Sequence, residues 1–158
     1  MKLNGPRPGR PLMVLVSAIA FAVLAPSAAA DSVYHTEHLR LRPIGDAPLR
    51  SGFVQNIKAQ GPTIYAHEIY VLNGAVHNAT YTVSNDFYFA DPACEGTDVF
   101  PTVTAVMTTN AGGNARADVF FVPADAEGFE GVHGVTWTVW NSAGKLVYQT
   151  TCTAVTLD

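Results

Sequence analysis

Five histidines carry the metal-ligand chemistry of this sequence. His35-x-x-His38 places two imidazoles close together, and His67 or His77 could join them in space to form a zinc or copper site. However, the H-E-x-x-H helix signature is absent, and so is the closely spaced H-x-H of sandwich-type copper/zinc superoxide dismutases. We therefore expect exposed or half-buried histidines and no metal cofactor, with His35, His38, His67 and His77 as the set that a metal would use.

The dipeptide His67-Glu68 lies in a segment that reads as a β-strand. Adjacent strand residues face opposite sides, so one of the two side chains should point into the protein. A buried Glu68 would need a partner such as Arg116 or a tyrosine hydroxyl. We expect a structural hydrogen bond there rather than a catalytic acid.

Other catalytic and cation-binding signatures are missing from the sequence. Two acidic segments could gather oxygen ligands for Ca²⁺, but without EF-hand spacing we interpret them as solvated loops: Asp91, Glu95 and Asp98, and Asp125, Glu127 and Glu130. No serine lies in G-x-S-x-G, and neither a P-loop nor a dinucleotide fingerprint occurs. The sequence therefore favours a protein that is not an enzyme.

Residues 1–30 have the pattern of a signal peptide. Lys2, Arg7 and Arg10 precede an uncharged apolar run over residues 12–25, and three alanines at 28–30 satisfy the small-residue rule for cleavage. The apolar run is short against the roughly 20 residues that span a bilayer. We expect cleavage after Ala30, secretion, and no membrane span in the mature chain.

The charge balance restricts the partners of the mature chain. Three of the nine Lys and Arg residues lie in residues 1–30, and none of the thirteen Asp and Glu residues does, so the rest carries a net charge of −7. An acidic chain without a basic stripe repels phosphate backbones. We expect no nucleic-acid partner and interpret the partner as an extracellular protein or glycan.

Both cysteines, Cys94 and Cys152, lie in the mature chain. Two cysteines in an exported protein most simply form one disulfide. The alternative is a two-thiol metal site, but further cysteine or histidine ligands at suitable spacing are missing.

The segment 103–122 shows the alternating strand pattern most clearly. Apolar residues alternate with polar ones on both sides of Gly112-Gly113, which predicts a half-buried β-hairpin with a glycine-rich reversal. The same pattern predicts further strands, with bulges near 84–86 and near Cys152, over residues 53–59, 63–72, 80–90, 135–140 and 145–157.

Seven or eight short strands without a helical period indicate an all-β fold. We predict an immunoglobulin-like antiparallel β-sandwich over residues 51–158, with a small β-barrel as the alternative. Residues 31–50 could form either an N-terminal arm or an edge strand.

Exposed aromatic rings could provide a ligand platform. Trp137 and Trp140 fall on opposite faces of one predicted strand, so one of them could be exposed together with Tyr88. Such a patch would suit a glycan or a protein partner. The alternative is partial burial of these rings under loops.

Several phrases of the mature chain carry a family resemblance: HEIYVLNG at 67–74, DPAC at 91–94, TTNAGGNA at 108–115, TWTV at 136–139 and CTAVTLD at 152–158. From about residue 52 onward, the chain resembles a loose family of small uncharacterised secreted bacterial β-sandwich proteins with one cysteine pair. The resemblance implies export and a single domain, and it brings no active site.

These observations predict a secreted, non-catalytic β-sandwich that acts in extracellular or cell-surface binding. The competing hypothesis is a metalloprotein that depends on histidines and carboxylates and could be an enzyme. A third is a structural coat component that associates through an edge strand or an aromatic patch.

Overall fold

A computed structural model describes residues 35–59 and 61–157 of the chain. The predicted signal peptide over residues 1–30 lies outside the described residues. The described residues belong to one compact unit. Its ten strands, in chain order, are β1 (His35–Arg40), β2 (Arg42–Pro43), β3 (Ser51–Lys58), β4 (Ala66–Asn73), β5 (Thr80–Tyr88), β6 (Val99–Thr108), β7 (Ala115–Phe121), β8 (Gly131–Asn141), β9 (Leu146–Gln149) and β10 (Thr153–Leu157).

The strands form two open antiparallel sheets, which confirms the predicted β-sandwich. The first sheet has the order β1-β3-β4-β7. The second has the order β2-β9-β8-β5-β6, and β10 also pairs with β8. Because neither sheet closes on itself, the barrel alternative is wrong. Within the described residues, no helix is long and apolar enough to cross a membrane.

The segment around residues 35–43 takes part in both sheets. β1 pairs with β3 at the edge of the first sheet, and β2 pairs with β9 in the second. Leu41, between the two strands, is 1% exposed and packs in the core. The chain therefore changes sheets at a buried leucine.

The predicted hairpin over residues 103–122 is wrong, although its two strands exist. β6 pairs with β5 in the second sheet, whereas β7 pairs with β4 in the first. The loop between them crosses from one sheet to the other and is held to Ala75, whose N–H donates to the Gly113 carbonyl at 3.0 Å. On β7 the alternating apolar residues do pack against the core, and on β6 Ala105 and Met107 do so, but Val103 is 65% exposed because the pairing with β5 shifts register next to it. Alternation does not identify the neighbouring strand.

Both predicted irregularities are present. The pairing of β5 with β6 shifts register between Val83 and Ser84. The predicted last strand is divided into β9 and β10, which both pair with β8, with a break over residues 150–152. Across this break, the Thr150 N–H donates to the Trp137 carbonyl at 3.0 Å.

The core lies between the two sheets and follows the inward alternation of the strands. The largest fully buried side chains are Leu41, Val54, Tyr70, Leu72, Tyr81, Val83, Val135, Trp137, Val139 and Tyr148.

The predicted disulfide between Cys94 and Cys152 is confirmed, with an S–S distance of 2.02 Å. It joins the loop after β5 to the break between β9 and β10. Gly134 lies directly beneath it, because a Cβ at that position would lie 2.6 Å from the Cys94 Sγ.

Candidate functional site

Polar residues occupy inward positions at one end of the first sheet. On β3, Asn56 and Lys58 share the inner face with Val54, because strand residues two apart point the same way. Asn56 pairs directly with Glu68 on β4. All three polar side chains are buried, with exposed fractions of 8% or less.

The second sheet presents a matching pair across the core. Asn85 on β5 lies opposite Trp137 on β8, and two residues further along β5 Phe87 lies opposite Val135. Asn85 is 3% exposed and Trp137 is 1% exposed.

Glu68 connects the two sheets through its carboxyl group. The Trp137 Nε1–H donates to it at 3.0 Å. The Asn85 Nδ2 group donates to both carboxyl oxygens, at 3.2 and 3.3 Å. The Tyr70 hydroxyl, two residues along the same strand, is the third hydrogen-bond partner of this carboxyl group. The predicted partner type, a tyrosine hydroxyl, is the one used, and Arg116 instead pairs with Asp118 at 2.9 Å.

The environment of Glu68 raises its pKa. Burial is the main cause, because it penalises the charged form. The hydrogen bonds from Tyr70, Trp137 and Asn85, and then the charge of Lys58, oppose the rise. Burial also raises the pKa of the Tyr70 hydroxyl, and the neighbouring Glu68 adds to that rise.

Two hydroxyl groups extend the hydrogen-bonded network from Glu68 towards the second sheet. The Thr104 hydroxyl lies 2.8 Å from the Tyr70 hydroxyl and 3.4 Å from the Val83 carbonyl. One hydroxyl carries one hydrogen. The Tyr70 hydroxyl can therefore donate to the Glu68 carboxyl group or to the Thr104 hydroxyl, but not to both at once.

A cavity of about 110 Å³ lies beside these buried polar side chains. Its polar floor is formed by Asn56, Lys58, Glu68, Asn85 and Trp137. Its walls come from both sheets and from the segment 122–130. The lining is mainly apolar and includes Tyr65, Phe87, Phe100, Phe121, Phe129, Val135, Val155 and Leu157. Lys58 also lines the cavity, and its ammonium group donates to the Thr156 carbonyl. The Oδ1 atom of Asn85 is buried without a hydrogen-bond partner among the described residues.

An aromatic cluster borders the cavity. The rings of Phe89, Phe100 and Phe129 lie with centroids 5.6 to 6.4 Å apart, and the His133 ring meets Phe89 edge-on at 5.5 Å. Phe100 and Phe129 also line the cavity. Phe100 is 52% exposed, so the cluster forms a solvent-facing rim.

The histidines proposed as metal ligands are spread over the molecule. The His38 ring packs on Phe53 with centroids 4.3 Å apart. His67 stacks on Phe120 and bonds Asp118 at 3.1 Å, and His77 is exposed between β4 and β5. The His35 side chain lies outside the described residues. Among the side chains that are described, no group of three or more His, Cys, Asp or Glu could hold a metal ion.

The predicted aromatic platform requires a correction. Trp137 points into the core, where its N–H bonds Glu68, so it is not a surface ring. Trp140 is half-buried on the outer face of the second sheet, and its Nε1–H donates to the Thr138 hydroxyl at 3.1 Å. Tyr88 is half-buried, six residues along β8 from Trp140 in the strand pairing. The three rings therefore do not form one patch.

The sequence reasoning missed Asn56, Lys58 and Asn85. The sequence did contain a signal for these residues, namely polar side chains at inward positions of predicted strands. Such side chains must find hydrogen-bond partners or line a cavity. Comparisons of this chain with protein-family models, with curated proteins and with solved structures found no match.

Proposed function

We propose that this protein is an exported, non-catalytic domain of the immunoglobulin-like β-sandwich type. In this proposal it binds an extracellular protein or glycan, and the cavity between the sheets is its binding site. The family resemblance of the sequence, which implies a secreted single domain, supports the same interpretation.

The observation that carries the proposal is the cavity with its apolar walls, buried polar floor and exposed aromatic rim. Concave apolar sites with a few convergent polar groups are typical of ligand binding. A well-packed core normally leaves few voids larger than a water molecule. A cavity that opens beside a 52% exposed phenylalanine is therefore a candidate for recognition.

The arrangement of Glu68 supports a binding role rather than catalysis. Its carboxyl group already interacts with Tyr70, Trp137 and Asn85. A carboxyl group occupied in this way links the sheets and has little capacity left for proton transfer to a substrate.

Export is supported by the leader pattern and by the disulfide. Disulfides persist in oxidising compartments and are rare in the cytosol. Expression of the full chain in a secreting host, followed by intact-mass measurement of the exported material, tests this half of the proposal. We expect a chain that begins at Asp31 and carries no free thiol. An unprocessed chain retained in the cells would contradict it.

Binding is tested by titrating the exported protein with glycans, cell-wall fragments and peptides. The two indole N–H resonances provide the readout, because Trp137 forms the cavity floor and Trp140 lies on the outer face of the second sheet. We expect a ligand to shift the Trp137 resonance and to leave Trp140 unchanged. Failure of every ligand class to shift Trp137 would contradict the proposed site.

A pair of variants on one strand sharpens the test. Phe100→Ala removes a ring from the cavity wall, whereas Val106→Ala shortens a 64% exposed side chain elsewhere on β6. We expect the first variant to weaken binding about tenfold and the second to leave it unchanged. Equal effects of the two variants would contradict binding in the cavity.

A further inference from the structure

We propose that the end of the sandwich that contains the cavity docks a cationic protein segment, one apolar side chain of which enters the cavity. This inference rests on the proposed binding role and names the chemistry of the partner. It follows from the charge, the apolar surface and the cavity size at this end, which we call the loop end. The loop end comprises the segments 61–65, 89–98 and 122–130.

The strand pairing brings these three segments to the same end. In the first sheet, Lys58 pairs with Ala66, and Ala66 pairs with Phe121. The loop before Ala66 and the segment after Phe121 therefore lie at the same end of this sheet. In the second sheet, Tyr88 pairs with both Val99 and Gly134. The cavity between the sheets is lined by residues from both of these ends.

The loop end is acidic. The segments 89–98 and 122–130 carry three carboxylates each, and none of the three segments contains a lysine or an arginine. Hydrogen bonds from the backbone N–H groups of Glu130 itself and of Gly128 lower the pKa of the Glu130 carboxyl group, which favours its charged form. Charge of one sign around a cleft attracts partners of the opposite sign and accelerates their association.

The same end also concentrates exposed apolar side chains. Among the residues that the structure describes, ten large hydrophobic side chains are highly exposed, and seven of them lie in or beside these segments: Ile64, Phe89, Val99, Phe100, Phe120, Val122 and Val132. Contiguous apolar surface with a polar border is typical of protein interaction sites. The partner should therefore combine positive charge with apolar side chains.

The cavity size limits what can enter. Its volume of about 110 Å³ is smaller than the roughly 150 Å³ of a cavity that holds one benzene ring. It is well below the range of about 300 to 1,000 Å³ that is typical of drug-sized ligands. One side chain fits, while the rest of the partner must lie on the loop end.

The floor of the cavity favours an apolar side chain over a charged one. Lys58 lies at the cavity and would repel a second cation. The Glu68 carboxyl group is already held by Trp137 and Asn85. Positive charge on the partner would therefore contact the acidic loops, and its apolar side chain would enter between Phe100 and Phe129.

Three blocked pentapeptides test this inference on the exported protein, with leucine as an apolar side chain smaller than a benzene ring: Lys-Lys-Leu-Lys-Lys, Lys-Lys-Ala-Lys-Lys and Glu-Glu-Leu-Glu-Glu. We expect the first to shift the Trp137 indole resonance and to bind about tenfold more tightly than either of the others, since it alone has both the charge and the side chain. Raising NaCl from about 20 mM to about 300 mM should weaken it several-fold, because salt screens exposed charges.

Matched variants measure the contribution of the loop-end carboxylates to peptide binding. Glu95→Gln, Asp98→Asn and Glu127→Gln together neutralise three exposed loop-end carboxylates. We expect the triple variant to weaken binding of the lysine–leucine peptide at least about threefold at low salt. Asp46→Asn removes an exposed carboxylate from the opposite end and should leave the affinity unchanged.

The outcomes distinguish this inference from the proposed function. If the glutamate peptide binds as tightly as the lysine peptide, or if a glycan alone shifts Trp137, the cationic partner is wrong and the binding role stands. If no peptide, glycan or cell-wall fragment shifts Trp137, both proposals fail. An equal loss of affinity in Asp46→Asn and in the triple variant would also overturn the inference.

Discussion

Trp137 in the second sheet donates its indole N–H to the carboxyl group of Glu68 in the first sheet, at 3.0 Å. This hydrogen bond crosses the core beside the cavity, so one contact both joins the sheets and shapes the candidate binding site. Both residues are almost completely buried. The cost of changing either partner should therefore be large, because a buried polar group without a partner loses its full hydration energy.

Glu68→Ala should lower the free energy of unfolding by about 3 kcal/mol or more. The substitution leaves Trp137 Nε1 and Asn85 Nδ2 as buried donors without their acceptor, and each such group costs about 1–3 kcal/mol. Urea unfolding monitored by tryptophan fluorescence measures the loss. Glu127→Ala, an exposed position, should change stability by less than about 0.5 kcal/mol. A loss below 1 kcal/mol for Glu68→Ala would contradict the proposed network.

The raised pKa of Glu68 predicts a falling stability as the pH rises. The unfolded chain releases this proton near pH 4.5, whereas the folded protein holds it to higher pH. Between the two pKa values the folded state binds more protons, so the free energy of unfolding decreases with increasing pH. The contribution of Glu68 is most favourable below pH 4.5 and is lost as the pH rises through the folded pKa.

Glu68→Gln provides the comparison for this pH dependence, because it cannot titrate while other groups, including the half-buried Asp86 with its raised pKa, remain. Urea unfolding of both proteins from pH 4 to pH 8 gives the difference between their stabilities. We expect that difference to move in favour of Glu68→Gln as the pH rises. A difference that stays constant over this range would show that the pKa of Glu68 is not raised.

Removal of the disulfide should destabilise the protein substantially. Cys94 and Cys152 are separated by 58 residues in the chain. Closing a loop of that length contributes about 4 kcal/mol in the chain-entropy description. Cys94→Ser/Cys152→Ser should lose an amount of this order in urea unfolding, and reduction of the wild-type protein should give a similar loss. Retention of full stability in the double variant would assign the disulfide a role other than stabilisation.

The sequence predicted the strand pattern better than the strand partners. Thr80–Tyr88 and its irregularity at Val83 followed from alternation and from a polar step. The pairing of 103–108 with 115–121 did not, because inward apolar residues are equally compatible with one sheet or with two facing sheets. A glycine-rich reversal allows a tight turn and does not require one.

The candidate site was predicted in part. Alternation indicated that one of His67 and Glu68 points inward. The chemistry of a buried carboxyl group indicated Arg116 or a tyrosine hydroxyl as its partner, and the structure has the tyrosine. Asn85 and Trp137 could not be assigned to Glu68, since their proximity depends on how the two sheets face each other. The cavity was equally inaccessible, because it forms where strands of both sheets meet the segment 122–130.

Gly113→Ala tests the crossing loop that replaced the predicted hairpin. Gly113 has φ +72°, and a Cβ at this position would lie 2.2 Å from the Ala75 carbonyl oxygen. The left-handed conformation alone costs a residue with a Cβ about 1–2 kcal/mol, and the overlap with backbone forces the loop away from Ala75. We expect a total loss of more than about 3 kcal/mol in urea unfolding.

Gly144→Ala is the matched control, because Gly144 has φ +70° and no atom within 4 Å of the added Cβ. This variant carries the conformational cost without the overlap, so it should lose only about 1 kcal/mol. The difference between the two variants measures the close approach of the crossing loop to Ala75. In a β6–β7 hairpin the loop would not contact Ala75, and the two alanine substitutions would cost the same.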